Sequence, residues 1–207
     1  LTTPGEVLAQ IFATAPPSEE LLEAIVPRYN IAPTQKVPIV RQAASGEREL
    51  ALAQWGLVPH WAKDPAIGNK LINARAETAA EKPSFRDAMK HRRCLIPANA
   101  FYEWKKLGKG KQPFLLRLRG GPTFALAGLW SQWKNPESGA NLETCTILTT
   151  TPNELTATVH DRMPVILEAT TWQRWLDDAP PGTPFTDLFR SYSAAEMEAF
   201  PVSKRVN

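Results

Sequence analysis

In Phe101-Tyr102-Glu103-Trp104 a single carboxylate stands between two aromatic residues. Side chains alternate along a strand, so Glu103 faces away from both rings. For an isolated strand glutamate the ordinary explanation is a solvated sheet face and a pairing with Lys105 or Lys106. Two further stretches change that weighing: Leu71-Ile72-Asn73-Ala74-Arg75-Ala76-Glu77-Thr78 and His160-Asp161-Arg162-Met163-Pro164. Each sets polar, chemically capable side chains beside a short apolar run. A carboxylate moves protons, and an imidazole accepts and donates them near neutral pH. An amide orients a ligand through its donor and acceptor, and a guanidinium grips a phosphate with two parallel bonds. Glu103, His160, Asn73 and Arg75 could therefore converge on one cleft. The plainer readings are a loop histidine bonded to backbone for His160 and a strand-end turn residue for Asn73.

The elements that must position these groups are short. From Cys94 the chain reads as an apolar strand, a break at Pro97 and Asn99, and a second strand that carries Glu103. Pro113–Arg119, Thr123–Trp133 and Leu142–Thr150 continue as a meander, separated by Gly120-Gly121-Pro122 and by Asn135-Pro136-Glu137-Ser138-Gly139. Upstream, Lys36–Gln42 and Glu49–Gln54 form a hairpin around Ala44–Glu47. Trp55-Gly56-Leu57-Val58-Pro59-His60-Trp61 is too broken for a strand interior. Thr3-Pro4-Gly5-Glu6 has the form of a capping box and predicts a helix over 4–13. Ser18 opens a second helix that Pro27 stops, and Ser84 caps a third over Ser84–Arg92. Asn153 caps a short helix leading to His160, and Thr171–Leu176 and Phe185–Arg190 read as small helices. Short strands joined by turns, with helices inserted, define an α+β fold: a largely antiparallel, partly closed, barrel-like sheet with peripheral helices.

The totals agree with one domain over residues 1–207. Hydrophobic residues make up 43%, enough for a core, and 19 prolines, about twice average usage, favour turns over a helical bundle. The net charge of +3 is compatible with a phosphate-rich partner without demanding one. The two cysteines, Cys94 and Cys145, lack metal-ligand spacing and lie in apolar runs, where buried inert thiols are expected. No metal or cofactor is expected, and no apolar run approaches membrane-spanning length. A monomer in the cytoplasm is the expectation.

Arg28-Tyr29-Asn30-Ile31-Ala32-Pro33, Trp55-Gly56-Leu57-Val58-Pro59, Ile72–Thr78, Phe101–Trp104 and His160–Pro164 occur in this order, and Pro201-Val202-Ser203 fits a closing strand. In this the sequence resembles the SOS response-associated peptidase (SRAP) family, whose members process abasic sites. The resemblance runs from about Tyr29 to Pro164. It implies a covalent chemistry in which the family's cysteine, directly after the initiator methionine, supplies an α-amine and a thiol. The amine condenses with the aldehyde of a ring-opened abasic deoxyribose, and the thiol closes a thiazolidine that joins protein to single-stranded DNA. Self-processing that removes the methionine accounts for the word peptidase. The sequence here opens at Leu1, a few residues beyond where that start would lie.

By the same resemblance Glu103 shuttles the protons of imine formation, His160 serves ring-opening and reversal, and Asn73 holds the amine or a sugar oxygen. Arg75 grips phosphate. Single-stranded DNA also needs surfaces on which bases stack. Trp61, beside Lys63, is the first such surface, and the loop from Asn30 to Pro33 is the second. Arg86, with Lys90, Arg92 and Arg93, forms a basic helix face able to follow phosphates, although a solvated face is the default for such a run. Two rival readings stay open. One is a non-covalent single-stranded nucleic-acid-binding module. The other is a protease using Cys94 or Cys145 with His160.

Overall fold

The computed structural model describes residues 1–178, 180 and 183–206. Helix α1 (Gly5–Phe12) and helix α2 (Glu19–Ala24) precede the hairpin of β1 (Lys36–Gln42) and β2 (Arg48–Trp55). The short β3 (Asn73–Arg75) and helix α3 (Arg86–His91) lead into β4 (Arg93–Ala98). The meander follows: β5 (Phe101–Leu107), β6 (Gly110–Leu118), β7 (Phe124–Lys134) and β8 (Asn141–Thr150). Two short strands, β9 (Met163–Pro164) and β10 (Ile166–Leu167), helix α4 (Trp172–Leu176) and β11 (Met197–Pro201) complete the order.

Strands β7, β4, β1, β2 and β8 are neighbours in that order, and β7 pairs with β8 to close the ring. Closure leaves these strands no free edge, and the α+β, barrel-like expectation is met. Because side chains alternate, one set of positions fills the barrel: Ile39, Ala53, Cys94, Ile96 and Cys145. The other set, including Val40, Leu95, Leu129 and Leu148, packs outward under α1 and α4. Gly128 lies in the inner set, where a Cβ would stand 2.7 Å from Ile96 Cδ1 and 2.9 Å from Cys94 Sγ. A second, three-stranded antiparallel sheet runs in the order β11-β6-β5.

Several local expectations change. Neither Thr3 nor Ser84 caps a helix. Thr3 Oγ1 instead bonds Asn99 Oδ1 at 3.2 Å and Thr123 Oγ1 at 2.7 Å, tying the chain start to the β4–β5 turn. The helix opened by Ser84 in the sequence begins at Arg86 with no side-chain cap. The closing strand lies earlier, at Met197–Pro201. Ser18 does cap α2, accepting from Leu21 N, and Asn153 Oδ1 accepts from Thr156 N at 2.8 Å, as expected.

Candidate nucleic-acid processing site

Strand β5 pairs with β6 in a register that sets Glu103 opposite Phe114. Its carboxylate meets not a lysine but His160, with Oε2 4.0 Å from Nε2. The solvated-face reading therefore fails: the Glu103 side chain is only 23% exposed. Burial holds its carboxyl above the usual carboxylate range, and the neighbouring His160 pulls it back in part. The His160 ring is oriented by its own loop. Its Nδ1 lies 3.1 Å from Arg162 N, 3.2 Å from Arg162 O and 3.3 Å from Asp161 Oδ1, which leaves Nε2 turned toward Glu103. A carboxyl pushed upward beside an imidazole half open to solvent has the chemistry to exchange a proton with a ligand.

Strand β3 lies parallel to the end of β8, with Asn73 opposite Ile147 and Arg75 opposite Thr149. Ala74 and Ala76 are buried, and the alternate residues Asn73, Arg75 and Glu77 are exposed. Trp55 Nε1 donates to Ile72 O at 2.8 Å and holds the entry to β3. Arg162 then joins this strand to the histidine loop. Its Nη1 and Nη2 donate to Glu77 at 2.9 and 2.8 Å, and Nη2 also reaches Thr149 O. Sequence reasoning passed over Arg162 as a functional residue, although it sits two positions after His160. Its bidentate partner lies 85 residues away in sequence, so no local spacing could have exposed the pair. No hydrogen bond among the described residues joins the Asn73 side chain to Glu103 or His160, and Arg75 is free of ion pairs there.

The loop ahead of β1 reaches β5 from another side. Tyr102 Oη donates to Tyr29 O at 2.8 Å, and the loop carries half-buried Asn30 and Pro33. Thr34 follows at φ 74°, a left-handed conformation that a β-branched residue adopts only under constraint. Leu1 and Arg28 exchange both backbone hydrogen bonds, at 2.8 and 2.7 Å, the signature of an antiparallel pair. Thr2 N donates to Asn99 Oδ1 at 2.9 Å, four residues before Glu103.

Trp61 is 51% exposed, so it is not a core residue. Neighbouring His60 lies 3.7 Å from Asp87 on α3, so the loop that carries Trp61 runs beside the helix that carries Arg86. The basic face of α3 is smaller than expected. Arg86 and Lys90 are exposed, but Arg92 is bound to Asp87, and Arg93 is 5% exposed. The Arg93 guanidinium donates to the carbonyls of Met89, Lys90, Trp175 and Asp177, so it clamps α3 and α4 to the barrel and is unable to reach a phosphate. Cys94 and Cys145 are fully buried, and burial pushes the Cys145 thiol up to about 12. Neither thiol is an exposed, activated nucleophile. A cavity of about 360 Å³ lined by Glu168, Thr171, Arg190, Tyr192 and Glu196 contains none of the motif residues.

A family model described as SOS response associated peptidase (SRAP) matches residues 1–207. The chain is 48% identical over 183 residues to the abasic site processing protein YoqW of Bacillus subtilis, an alignment covering 87% of this chain and 81% of that protein. Against the abasic site processing protein YedK of Escherichia coli the identity is 31% over 182 residues, covering 86% and 78%. HMCES of Gallus gallus, also named as an abasic site processing protein, is 34% identical over 212 residues, covering 87% of this chain and 62% of its own. Among solved structures, a protein from Bacteroides thetaiotaomicron superposes with a TM-score of 0.88 at 26% identity, over 99% of this chain and 90% of that one. The chain belongs to the SOS response-associated peptidase family.

Proposed function

We propose that this chain processes abasic sites in single-stranded DNA by becoming covalently joined to them, in the bacterial cytoplasm, through a cysteine at a processed N-terminus. The observation that carries the reading is the Glu103–His160 pair, a buried carboxyl 4.0 Å from an imidazole. Relatives named for abasic site processing support it. So does the Leu1–Arg28 pairing. Residues preceding Leu1 in the same extended register would run beside Tyr29 and Asn30, toward the strand that holds Glu103.

The steps follow from the groups present. His160 assists opening of the deoxyribose ring, freeing the C1′ aldehyde. The α-amine of the cysteine adds to that carbon, and Glu103, in its protonated form, gives a proton to the departing hydroxyl, so water leaves and an imine forms. The cysteine thiolate then adds to the same carbon, and the nitrogen takes up the proton to close the thiazolidine. Asn73 orients the amine or a sugar oxygen, Arg75 holds a flanking phosphate, and a base stacks on Trp61 with Asn30, Pro33 and Arg86 nearby. The self-processing peptidase step that would expose the cysteine belongs to the same proposal.

Intact mass spectrometry after mixing with a uracil-excised oligonucleotide tests it. A chain beginning Cys-Gly-Arg-Phe ahead of Leu1 should gain the mass of the DNA and keep it under denaturation. The chain beginning at Leu1 has an amine without a thiol, so at most a hydrolysable imine forms. A denaturation-stable adduct on that shorter chain would move the chemistry to a lysine or an internal thiol.

A further inference from the structure

The strand that carries Glu103 continues into a hairpin with a concentration of positive charge matched nowhere else in the chain. Lys105 and Lys106 on β5, Lys109 in the turn and Lys111 on β6 fall within seven residues, and no acidic residue occurs between Glu103 and Glu137. The whole chain carries a net +3, so removing these four unit charges would leave −1. Lys106 stands directly opposite Lys111 in the β5–β6 register. Like charges facing each other across a strand pair destabilise the sheet. Among the described residues none of the four lysines has a carboxylate within ion-pair distance. Lys106, Lys109 and Lys111 are exposed, and the turn that presents them is tight, with Gly108 at φ 57° between Leu107 and Gly110. The C-terminal segment adds to the patch. Val202 N donates to Pro113 O at 3.0 Å and Gln112 Nε2 to Val202 O at 2.8 Å, after which exposed Lys204 and Arg205 follow.

We propose that the β5–β6 hairpin is a nucleic-acid arm that grips the phosphate backbone of the strand entering the Glu103–His160 site. The proposal rests on the abasic-site reading and extends it to which phosphates are held. Lys105 lies on the face of β5 that Glu103 occupies, about 7 Å further along by the two-residue repeat of a strand. An abasic sugar carries no charge, but its flanking phosphates do, and one drawn to Glu103 would bring a neighbouring phosphate to Lys105. Lys106 and Lys111 share the opposite face of the hairpin and Lys109 its tip, so their long side chains meet the same DNA strand where it passes over the end of the hairpin. A membrane surface would also attract lysines, but a patch rooted two residues from a proton-transfer pair favours the substrate's own backbone.

The test uses the 207-residue chain and an intact single-stranded oligonucleotide, so that covalent chemistry plays no part. Fluorescence anisotropy is followed across salt concentrations for wild type and for K105Q/K106Q/K109Q/K111Q. The quadruple variant should bind about tenfold or more weakly at low salt, and the slope of log affinity against log salt should shrink by about 1.4–2.8, the loss of two to four phosphate contacts on single strands. K106Q/K111Q should show half that change in slope, about 0.7–1.4. Both variants should melt no lower than wild type, because the Lys106–Lys111 repulsion is gone. Wild type and quadruple variant sharing one slope would overturn the hairpin arm while leaving abasic-site processing standing. Wild type with no affinity for DNA would overturn both. An unchanged DNA slope with lost binding to phosphatidylserine vesicles would overturn the arm in favour of a membrane contact.

Discussion

Strand β8 has a charged cluster at each end, and the two are built on opposite principles. Near its start, Arg41 donates to Glu49 at 2.5 Å and to Glu143 at 2.9 Å and lies over the Trp130 ring at 4.1 Å. Every charge there has a close partner, and the cluster closes one end of the barrel as a structural plug. Near the end of β8, Glu103 and His160 stop 4.0 Å apart, short of a hydrogen bond, with a carboxyl that burial holds above its usual range. The first cluster is saturated and has nothing left to offer a ligand. The second keeps unspent capacity to donate and accept protons. Partnering, rather than the kind of residue, separates a structural ion cluster from a reactive one.

The comparison is broken most directly at Glu103. In a chain with the N-terminal cysteine in place, Glu103→Gln and His160→Ala should each slow cross-linking by about 10²–10⁴-fold while leaving non-covalent DNA binding in place. Denaturing gels timed over minutes to hours read the rate, and unchanged kinetics in both variants would strip the pair of its role. The saturated cluster should respond in stability instead. Arg41→Met strands two partly buried carboxylates and should lower stability by about 1–3 kcal/mol, discounted for their exposure, with cross-linking rates kept. Urea unfolding followed by tryptophan fluorescence gives that number.

Binding should divide along a different line. Trp61→Ala is expected to weaken single-stranded DNA binding by about 1–3 kcal/mol through loss of a stacking surface. Arg93→Lys should change binding little except through stability, since its guanidinium faces carbonyls. An anisotropy titration indifferent to Trp61 would remove it from the interface.

The smallest effect carries a sign. A carboxyl whose folded pKa is raised binds its proton more tightly in the native state, so its contribution to stability is present at low pH and is lost as pH rises through the raised value. Ionising Glu103 therefore weakens the fold. Glu103→Gln should raise the melting temperature on the high-pH side of that ionisation and flatten its dependence on pH above the ordinary carboxylate range. A lower melting temperature at pH 7 would contradict the burial argument.

Much of this was legible in the chain. The β1–β2 hairpin followed from its turn residues, the meander from Gly and Pro punctuation, and the inert thiols from their apolar surroundings. The motifs around Asn73, Glu103 and His160 singled out the polar residues before any fold was known. Local sequence carries such information because turn chemistry, strand alternation and the caps at Ser18 and Asn153 act over a few residues. Other features escaped it. Thr3 and Ser84 have the spelling of caps, yet Thr3 is drawn off by Asn99 and Thr123, partners about a hundred residues away. Arg93 reads as one more cation on a basic face, but the packing of α4 buries it against carbonyls. Arg162 is marked only by its nearness to His160, and its function as a tie from Thr149 to Glu77 exists only once β3 lies along β8. The Glu103–His160 approach, across 57 residues, is likewise a product of strand pairing and loop placement. Residue types and their local order come from the sequence alone. Which of those groups are saturated and which are left reactive is decided by tertiary contacts, because burial and partner distance set both pKa and accessibility.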